Sequence, residues 1–307
     1  MSTTIESYVC GDWHRGTGNP RQFHNATTEE VMGVVDSTGM DFGAVLAHAR
    51  DVGGPNLRAM TFASRGQMLG DLAKAIHEHR EELLELSVAN AGTTRKDGKF
   101  DIDGATGTLS AYAYFAKDVG ERNSLTDGDG IQLGRTARFW GRHILVPMRG
   151  AAVHINAFYF PAWTLLEKAA CALLAGVPVI EKPGTPTALV AWRIAQIIVE
   201  SKILPEGAFQ FIAGLTGDLL DKMGPQDALA FTGSAYTGLK LRSNENLLRN
   251  SVRVNIEADS LNAAVLGPGE DETSETWRLF VKNVALDMRQ KTGQKCTAVR
   301  RILVPQD

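Results

Sequence analysis

The first half of the chain has the apolar spacing that is typical of helices. Between residues 41 and 117, apolar side chains recur every three or four positions, most clearly at Leu69, Leu72, Ala73 and Ile76. This spacing places them on one buried helical face. The first forty residues are mixed, with turn signals. Residues 121–142 are polar and glycine-rich, which predicts a loop or a hairpin.

After residue 142, short β-rich runs alternate with helical runs. The predicted strands are 143–146, 151–155, 177–180, 209–212, 228–231 and 252–256, and the predicted helices are 163–175, 187–202, 218–223 and 236–243. This alternation with short connections predicts an α/β fold with a parallel sheet flanked by helices. Such sheets bind ligands at the carboxyl ends of their strands. The loops that follow the strands are therefore where we expect the chemistry.

The final segment is predicted to contain a strand after residue 261, a helix over 274–289 and a strand near 300–304. A strand this close to residue 307 is a poor place for a domain to finish. We therefore expect the chain to continue in a longer parent protein.

Charge and composition exclude several classes of function. The chain has 307 residues, with 32 Lys and Arg against 35 Asp and Glu and a net charge of −3. It lacks the basic excess that binds nucleic acid. The longest uncharged apolar run, 169–180, is too short to span a bilayer, and the N-terminus does not have a signal-peptide pattern. We expect a cytoplasmic protein of about two domains with no membrane partner.

The cysteine and histidine content narrows the chemistry further. Cys10, Cys171 and Cys296 are odd in number and widely spaced, which excludes a disulfide framework and a four-cysteine zinc site. The histidines form no metal-binding motif, so we predict no metal. A functional cysteine would then act as a thiol.

Cys296 is the strongest candidate nucleophile. It follows Gly293, which breaks the preceding helix, and precedes a predicted strand. Lys291 and Lys295 are nearby cations that we expect to lower the thiol pKa, and a thiolate attacks carbonyl carbon. A cysteine in such a position is more often a small apolar residue packed in a core.

Two other strand ends carry polar candidates. Glu257 follows the strand 252–256, where a carboxylate can act as a general base, although an acidic loop residue is the commoner case. The sequence Phe231-Thr-Gly-Ser leads into a helix, and the N–H groups at a helix start bind phosphate. A capped helix start explains Ser234 about as well.

The remaining candidates follow two more of the predicted strands. Lys182 follows the buried strand 177–180, where a lysine can bond a ribose hydroxyl or a phosphate, although a solvated surface lysine is the commoner case. An aromatic loop, Phe158 to Trp163, follows the strand that ends at Ile155. Core packing explains such aromatic residues more often than ligand binding does.

Taken in order, these motifs resemble those of the aldehyde dehydrogenase superfamily over essentially the whole chain. The matching segments are Phe158–Pro161, Lys182-Pro183, Phe231–Gly238, Glu257 and Gly293–Cys296. The chain is most similar to the CoA-linked semialdehyde dehydrogenases of aerobic aromatic degradation. The segments that carry this closer resemblance are Asp101–Gly104, Gly141–Pro147, Leu204–Gly207, Glu257–Asn262 and Gly293–Arg301.

The resemblance implies a fold and a domain plan. Residues 1–258 would form a Rossmann-like cofactor-binding domain, with a core over 143–258 and an oligomerisation-type hairpin near 121–147. Residues 259–307 would begin a second α/β catalytic domain, most of which lies beyond this chain. The full-length protein would be a homodimer.

The resemblance also implies a reaction, the oxidation of an aldehyde to an acid with hydride transfer to NADP or NAD. Cys296 would be the nucleophile, Glu257 the general base, and the substrate an aldehyde carried on a CoA thioester. The residues implied at the cofactor are Ile155, Phe158, Lys182, Thr185, Phe231, Thr232, Gly233, Ser234 and Gly238.

The sequence departs from the family pattern near the expected site. Tyr159 replaces the asparagine whose side chain holds the oxyanion, which predicts weaker oxyanion stabilisation or blocked access for the aldehyde. Thr185 replaces a glutamate of NAD-selective members, which favours NADP. Glu181 is expected to weaken phosphate binding because it places an acid beside Lys182.

Two other hypotheses remain open from the sequence. The chain can be a degenerate or truncated relative that binds cofactor or partner subunits without turnover, which Tyr159 and the early end favour. It can also be an acyl-transfer enzyme that uses Cys296 without a cofactor. The intact Phe231–Gly238 segment argues against the latter.

Overall fold

The computed structural model describes residues 3–306, so Met1, Ser2 and Asp307, at the outer ends of the two predicted domains, lie outside it. The strands are β1 (Thr3–Ile5), β2 (Ser7–Val9), β3 (Asp12–His14), β4 (Arg21–His24), β5 (Val31–Val35), β6 (Leu125–Gln132), β7 (Trp140–Leu145), β8 (Ala152–Ile155), β9 (Val179–Lys182), β10 (Phe209–Phe211), β11 (Ala228–Gly233), β12 (Arg253–Ala258), β13 (Ala263–Val265) and β14 (Arg301–Leu303). The α-helices are α1 (Phe42–His48), α2 (Gly54–Ala59), α3 (Phe62–Glu78), α4 (Arg80–Leu86), α5 (Arg95–Val119), α6 (Trp163–Leu174), α7 (Ala188–Ser201), α8 (Ala235–Arg242), α9 (Glu245–Arg249) and α10 (Glu275–Arg289).

A seven-stranded sheet forms the centre of the fold, in the order β12-β11-β8-β9-β10-β2-β3. Its first five strands are parallel, whereas β2 and β3 add to the edge in antiparallel fashion. The chain moves outward from β8 in both directions, through β9 to β10 on one side and through β11 to β12 on the other. In such a sheet, the crevice lies at the carboxyl ends of the strands where the order reverses.

The predicted α/β fold with a parallel sheet flanked by helices is confirmed. Alternate strand residues face two separate apolar cores because side chains alternate across a strand. One core joins Ala152 and Val179 to the faces of α3, α5, α6 and α7. The other joins Val153, Ile155 and Ile180 to α1 and its neighbours on the opposite side.

Several predicted strand bounds were wrong in a way that matters for the site. The strand predicted at 177–180 runs from Val179 to Lys182, and the one predicted at 252–256 runs from Arg253 to Ala258. Lys182 and Glu257 therefore lie within strands and not after them. Backbone pairing extends these strands through polar residues, because Ile155 pairs with Lys182 and Thr232 pairs with Glu257.

The predictions for two other regions were incomplete. The mixed N-terminal residues form strands β1 to β5, of which β2 and β3 join the main sheet. These strands are short and their apolar and polar residues alternate only weakly. Their formation therefore depends on pairing with strands that are distant in the chain. The predicted helix 218–223 is a single 3₁₀ turn, Leu219–Lys222.

The polar segment near residues 121–142 forms the predicted hairpin, β6 paired with β7. The hairpin exposes large apolar side chains, among them Ile131, Phe139, Trp140 and Ile144. Residues 259–306 pair β13 with β14 in parallel, and α10 has no buried residue among those described. In the described part of the chain, no helix has the length and apolar content needed to cross a membrane.

The long helix α5 packs closely against α6 at a glycine. A Cβ built on Gly104 would lie 2.4 Å from the ring of Trp163, the first residue of α6. Three residues further along α5, a Cβ on Gly107 would have no neighbour within 4 Å. Only the first of these glycines is required for helix packing.

We predict that Gly104→Ala destabilises the fold by about 1–3 kcal/mol, because the added methyl group overpacks the α5–α6 contact. Gly107→Ala, the matched control on the same helix, is expected to raise stability by up to about 1 kcal/mol, through its helix propensity. Urea denaturation followed by circular dichroism measures both. Equal effects of the two substitutions would contradict this account of the helix contact.

Candidate active site

A cavity of about 860 Å³ opens at the carboxyl ends of β8, β9 and β11. Most of the predicted site residues line it: Ile155, Phe158, Tyr159, Lys182, Phe231, Thr232, Gly233, Ser234 and Cys296. A larger open groove lies between α3 and α5, but these residues do not line it. The structure therefore brings distant sequence motifs together at the edge of the sheet where the topology favours a ligand.

Three predicted residues do not line this cavity. Thr185 lies between Gly184 and Pro186, which do line it. Gly238 lies in α8, where a Cβ would be 2.8 Å from the Ile256 side chain, so this glycine is needed for helix–strand packing. Glu257 is close enough for its charge to act on Cys296 and Tyr159.

Residues 290–296, which we call the nucleophile loop, carry Cys296 into the cavity. Lys291, Thr292 and Gly293 have successive positive φ angles of 54°, 59° and 73°. Side-chain bonds hold this conformation, since Thr292 Oγ1 donates to the Gly92 carbonyl at 3.1 Å and Gln294 Nε2 to the Ala91 carbonyl at 3.1 Å. The loop is therefore anchored on the segment that follows α4.

The thiol of Cys296 lies in a partly buried setting. Burial and the negative charge of Glu257 raise its pKa. The nearby Tyr159 hydroxyl and the backbone N–H groups of Cys296 and Thr297 act in the opposite direction and lower this pKa. These donors favour the thiolate, but the net shift of the pKa is upward.

The predicted effect of the two lysines on this thiol was wrong. Lys291 Nζ donates to the carbonyl of Tyr159, and Lys295 Nζ binds Asp287 at 2.5 Å and Gln290 at 3.0 Å. Both ammonium groups thus bind other oxygens. Sequence proximity to Cys296 did not reveal these tertiary partners.

Tyr159 lies in the aromatic loop, which we define as residues 157–163. Burial, together with the charges of Glu257 and Cys296, raises the pKa of its hydroxyl. The phenol therefore stays protonated and can donate a hydrogen bond to the sulfur of Cys296. The three side chains form one electrostatic group at the cavity.

Lys182 and Glu181 point to opposite faces of the sheet. Lys182 lines the cavity. Glu181 is fully buried on the other face, where it accepts hydrogen bonds from His154 Nδ1 at 2.6 Å and Asn156 Nδ2 at 2.8 Å. The expectation that Glu181 places an acid beside Lys182 was therefore wrong, because side chains alternate along a strand and the Glu181 carboxylate lies on the opposite face.

Burial and the positive charge of Arg21 lower the pKa of Lys182 to about 8. Ser234 caps α8, and its Oγ accepts from Thr237 N at 3.3 Å. The cavity thus combines an ammonium group, a hydroxyl group and the amino-terminal end of a helix, which are donors suited to a phosphate ester.

Sequence reasoning missed residues that shape the site. Asn262 Nδ2 donates to the Cys296 carbonyl at 2.7 Å, although the two residues are 34 positions apart in the sequence. Gly184 allows close contact between loops, because a Cβ there would lie 2.8 Å from the backbone of Phe158. Asn262 belonged to a quoted motif, but only the fold shows its partner.

Residues 13–307 match the aldehyde dehydrogenase family. Together with the fold and the arrangement of the cavity, this match shows that the chain belongs to the aldehyde dehydrogenase family. In the described part of the chain, no cluster of three or more His, Cys, Asp or Glu side chains is arranged to hold a metal.

Two curated relatives are similar in sequence. The 3,4-dehydroadipyl-CoA semialdehyde dehydrogenase of Aromatoleum evansii is 44% identical over 301 residues, covering 98% of this chain and 58% of that protein. A betaine aldehyde dehydrogenase of Vibrio vulnificus is 31% identical over 230 residues, covering 73% of this chain and 45% of the relative. The matched part of this chain therefore spans only about half of the length of these relatives.

Solved structures share the fold at lower identity. Lactaldehyde dehydrogenase from Escherichia coli superposes with a TM-score of 0.85 at 21% identity, covering 100% of this chain and 61% of that one. An NADP dependent enzyme of E. coli gives a TM-score of 0.84 at 23% identity, covering 98% and 60%. These similarities support the fold.

We predict that Glu257→Gln lowers the pKa of the Cys296 thiol, because it removes the negative charge that opposes thiolate formation. The rate of Cys296 alkylation by iodoacetamide, followed against pH, should shift to lower pH. Peptide mass spectrometry separates Cys296 from Cys10 and Cys171.

Glu272→Gln, at an exposed glutamate, is the control and should leave the alkylation profile unchanged. An unchanged profile in Glu257→Gln would show that this carboxylate does not act on the thiol.

Proposed function

We propose that this chain is part of an enzyme that oxidises an aldehyde carried on a CoA thioester to the carboxylic acid, with NADP as the preferred cofactor. The observation that carries the proposal is one cavity lined by Cys296, Tyr159 and Lys182, with the charge of Glu257 close enough to act on both Cys296 and Tyr159. The relative named as a CoA-semialdehyde dehydrogenase, 44% identical over most of this chain, supports the substrate class.

Cys296 is the nucleophile in this proposal. Its thiolate adds to the aldehyde carbon, and the carbonyl oxygen becomes the oxyanion of a thiohemiacetal. Loss of hydride from that carbon leaves a thioester on the sulfur. The backbone N–H groups that face the sulfur and the Asn262 bond to the Cys296 carbonyl hold the nucleophile in place.

Glu257 is the general base of the second half of the reaction. It removes a proton from water, which attacks the thioester, releases the acid and returns the Cys296 sulfur as a thiol. The carboxylate can do this because its charge is close to the sulfur. The same proximity raises the thiol pKa, so Glu257 slows thiolate formation while favouring hydrolysis.

Tyr159 takes the place from which an oxyanion donor acts. Its protonated hydroxyl lies in the same cavity as the Cys296 sulfur and acts on its pKa, so it is close to the oxygen of a bound thiohemiacetal. A donor at that oxygen contributes roughly 10²–10³ in rate. A phenol that interacts with the sulfur serves this role less well than a freely placed amide, because its ring is bulky and its hydroxyl is shared with the thiol.

The residues of the cavity fit a nicotinamide dinucleotide by their donor set. Lys182 suits a ribose hydroxyl or a phosphate, and Ser234 with the start of α8 suits a phosphate. Ile155, Phe158, Phe231, Thr232 and Gly233 line the same wall. When bound, this cofactor accepts the hydride.

The preference for NADP over NAD follows from charge. Thr185 carries no negative charge that would repel a 2′-phosphate, and Gly184 and Pro186 on either side of it line the cavity. Arg21 does not line the cavity, but it is close enough to act electrostatically on Lys182 and so adds positive charge near this lysine. Both features favour a phosphorylated ribose.

The domain plan and assembly belong to the same proposal. Residues 1–258 form the cofactor-binding domain and 259–307 begin the catalytic domain. The exposed apolar hairpin of β6 and β7 supports a role in a homodimer of the full-length protein. We place the protein in the cytoplasm.

A second candidate function is cofactor or subunit binding without turnover. Tyr159 favours it, because a bulky ring beside the Cys296 sulfur can block the approach of an aldehyde. The intact Cys296 and Glu257 oppose it.

We predict that Tyr159→Asn raises the rate of NADPH formation from a CoA-linked semialdehyde by about tenfold or more, towards the roughly 10²–10³ that one oxyanion donor contributes. Absorbance at the NADPH band measures this rate. Cys296→Ser is the control and should give no turnover, because a serine hydroxyl is a far weaker nucleophile than a thiolate.

No NADPH formation by the folded full-length protein, either as wild type or as Tyr159→Asn, would contradict the proposed reaction. A gain with free aldehydes but none with the CoA-linked substrate would contradict the substrate class alone.

We predict that NADP binding weakens about tenfold between pH 7 and pH 9, because Lys182, with a pKa of about 8, loses its positive charge over that range. Below pH 8 the ammonium form predominates and attracts the cofactor's phosphates; above it the neutral amine does not. Isothermal titration at both pH values measures the affinity.

Lys182→Met should weaken NADP binding by about ten- to a hundredfold at pH 7 and remove most of the pH dependence. Lys282→Met, at an exposed lysine of α10, should leave both unchanged. Equal pH dependence in Lys182→Met and wild type would rule out Lys182 as the titrating group.

A further inference from the structure

Lys291 is a buried cation that binds the aromatic loop and not the neighbouring thiol. Its side chain is 1% exposed, its Nζ donates to the Tyr159 carbonyl, and the same atom lies 3.8 Å from the centroid of the Phe160 ring. Burying an ammonium group is unfavourable unless the protein provides compensating partners. A carbonyl oxygen and an aromatic face are such partners.

Asp101 supplies a negative charge on the other side of the aromatic loop. It is fully buried in α5, and its carboxylate accepts from the backbone N–H groups of Trp163 at 2.8 Å and Ala162 at 3.3 Å. These groups begin α6, whose own N-cap residue, Ala162, makes no side-chain cap bond. Asp101 therefore caps α6 from a different helix.

The two buried charges stabilise each other. Burial lowers the pKa of Lys291, and the charges of Asp101 and Asp97 oppose that shift. Burial raises the pKa of Asp101, and the charge of Lys291 opposes it. Removing either charge therefore makes the other more costly to keep ionised.

The backbone at Lys291 needs to be held. Lys291 and Thr292 both adopt left-handed φ angles, which are unfavourable for residues other than glycine. The bond from Lys291 to the Tyr159 carbonyl joins this strained turn directly to the residue whose hydroxyl reaches Cys296. Only the short segment Thr292 to Lys295 separates Lys291 from Cys296 in the chain.

We propose that Lys291 is a positioning residue, with Asp101 as its counter-charge, that holds the nucleophile loop against the aromatic loop so that Cys296 stays within reach of the Tyr159 hydroxyl. The proposal gives a role to Asp101. The segment Asp101–Gly104 carried part of the family resemblance, but none of its residues was a predicted site residue. It deepens the proposed function because it treats Cys296 as the nucleophile. Its test measures thiol reactivity and not turnover, so either proposal can fail while the other stands.

A simple charge effect has to be separated from positioning. Loss of any nearby cation raises a thiol pKa without moving the thiol. If Lys291 acts by positioning, its effect on the reactivity of the Cys296 thiol must also require the Tyr159 hydroxyl. The charged and titratable groups that act on the thiol and on Lys291 are Glu257, Tyr159, Asp101 and Asp97.

The experiment is a double-mutant cycle of Lys291→Met and Tyr159→Phe. The readout is the rate of Cys296 alkylation by iodoacetamide across pH, resolved from Cys10 and Cys171 by peptide mass spectrometry. We expect Lys291→Met to slow alkylation at pH 7.5 by about three- to tenfold and to move the profile to higher pH. In the Tyr159→Phe background the same substitution should have no further effect.

Two variants serve as controls. Lys291→Arg keeps the charge and a donor, and should restore the wild-type profile. Lys295→Met removes the other buried lysine of the loop, which binds Asp287 of α10. In that variant, Tyr159→Phe should still slow alkylation, whereas in Lys291→Met it should not.

An equal slowing by Lys291→Met in both backgrounds would overturn the proposal, as would an unchanged profile in folded Lys291→Met. If Lys291→Met does not fold, Asp101→Asn replaces it, since asparagine keeps an acceptor for the α6 N–H groups. We then expect a smaller slowing that again depends on Tyr159, and an additive or absent effect would reject the proposal.

Discussion

The parallel alignment of β8, β9 and β11 is the constraint on which the site depends. Parallel strands have their carboxyl ends at one edge, so segments far apart in the chain meet at one cavity. Backbone pairing that extends β9 through Lys182 and β12 through Glu257 fixes where these side chains point. A shift of one residue in either register would send the functional side chain to the opposite face.

Buried charges stabilise the two loops that carry the reactive groups. Asp101 caps α6 from α5, Lys291 binds the carbonyl of Tyr159, and Glu181 joins His154 to Asn156 beneath the cavity. Each buried charge is unfavourable without its partners. The hydrogen bonds of these groups fix direction as well as distance. They therefore specify the positions of the loops in a way that an apolar core would not.

The electrostatics of the thiol differ from what its sequence neighbours indicate. The adjacent lysines bind other oxygens, while the carboxylate of Glu257 and burial raise the Cys296 pKa. A carboxylate close to a thiol must have this effect. Tyr159 and the local backbone N–H groups oppose it. Under the proposed positioning by Lys291, this opposing effect depends on how closely the two loops are held.

The sequence by itself determined the α/β fold, the family, the hairpin and most of the residues that line the cavity, because hydrophobic periodicity and short motifs are local properties of the chain. It did not determine the direction of Glu181, the partners of Lys291 or the role of Asp101. Those depend on strand register and on contacts between residues distant in sequence, such as Asp101 and Ala162, which are 61 positions apart. Only the tertiary structure brings such groups together, and burial then shifts the pKa values of Lys291 and Asp101.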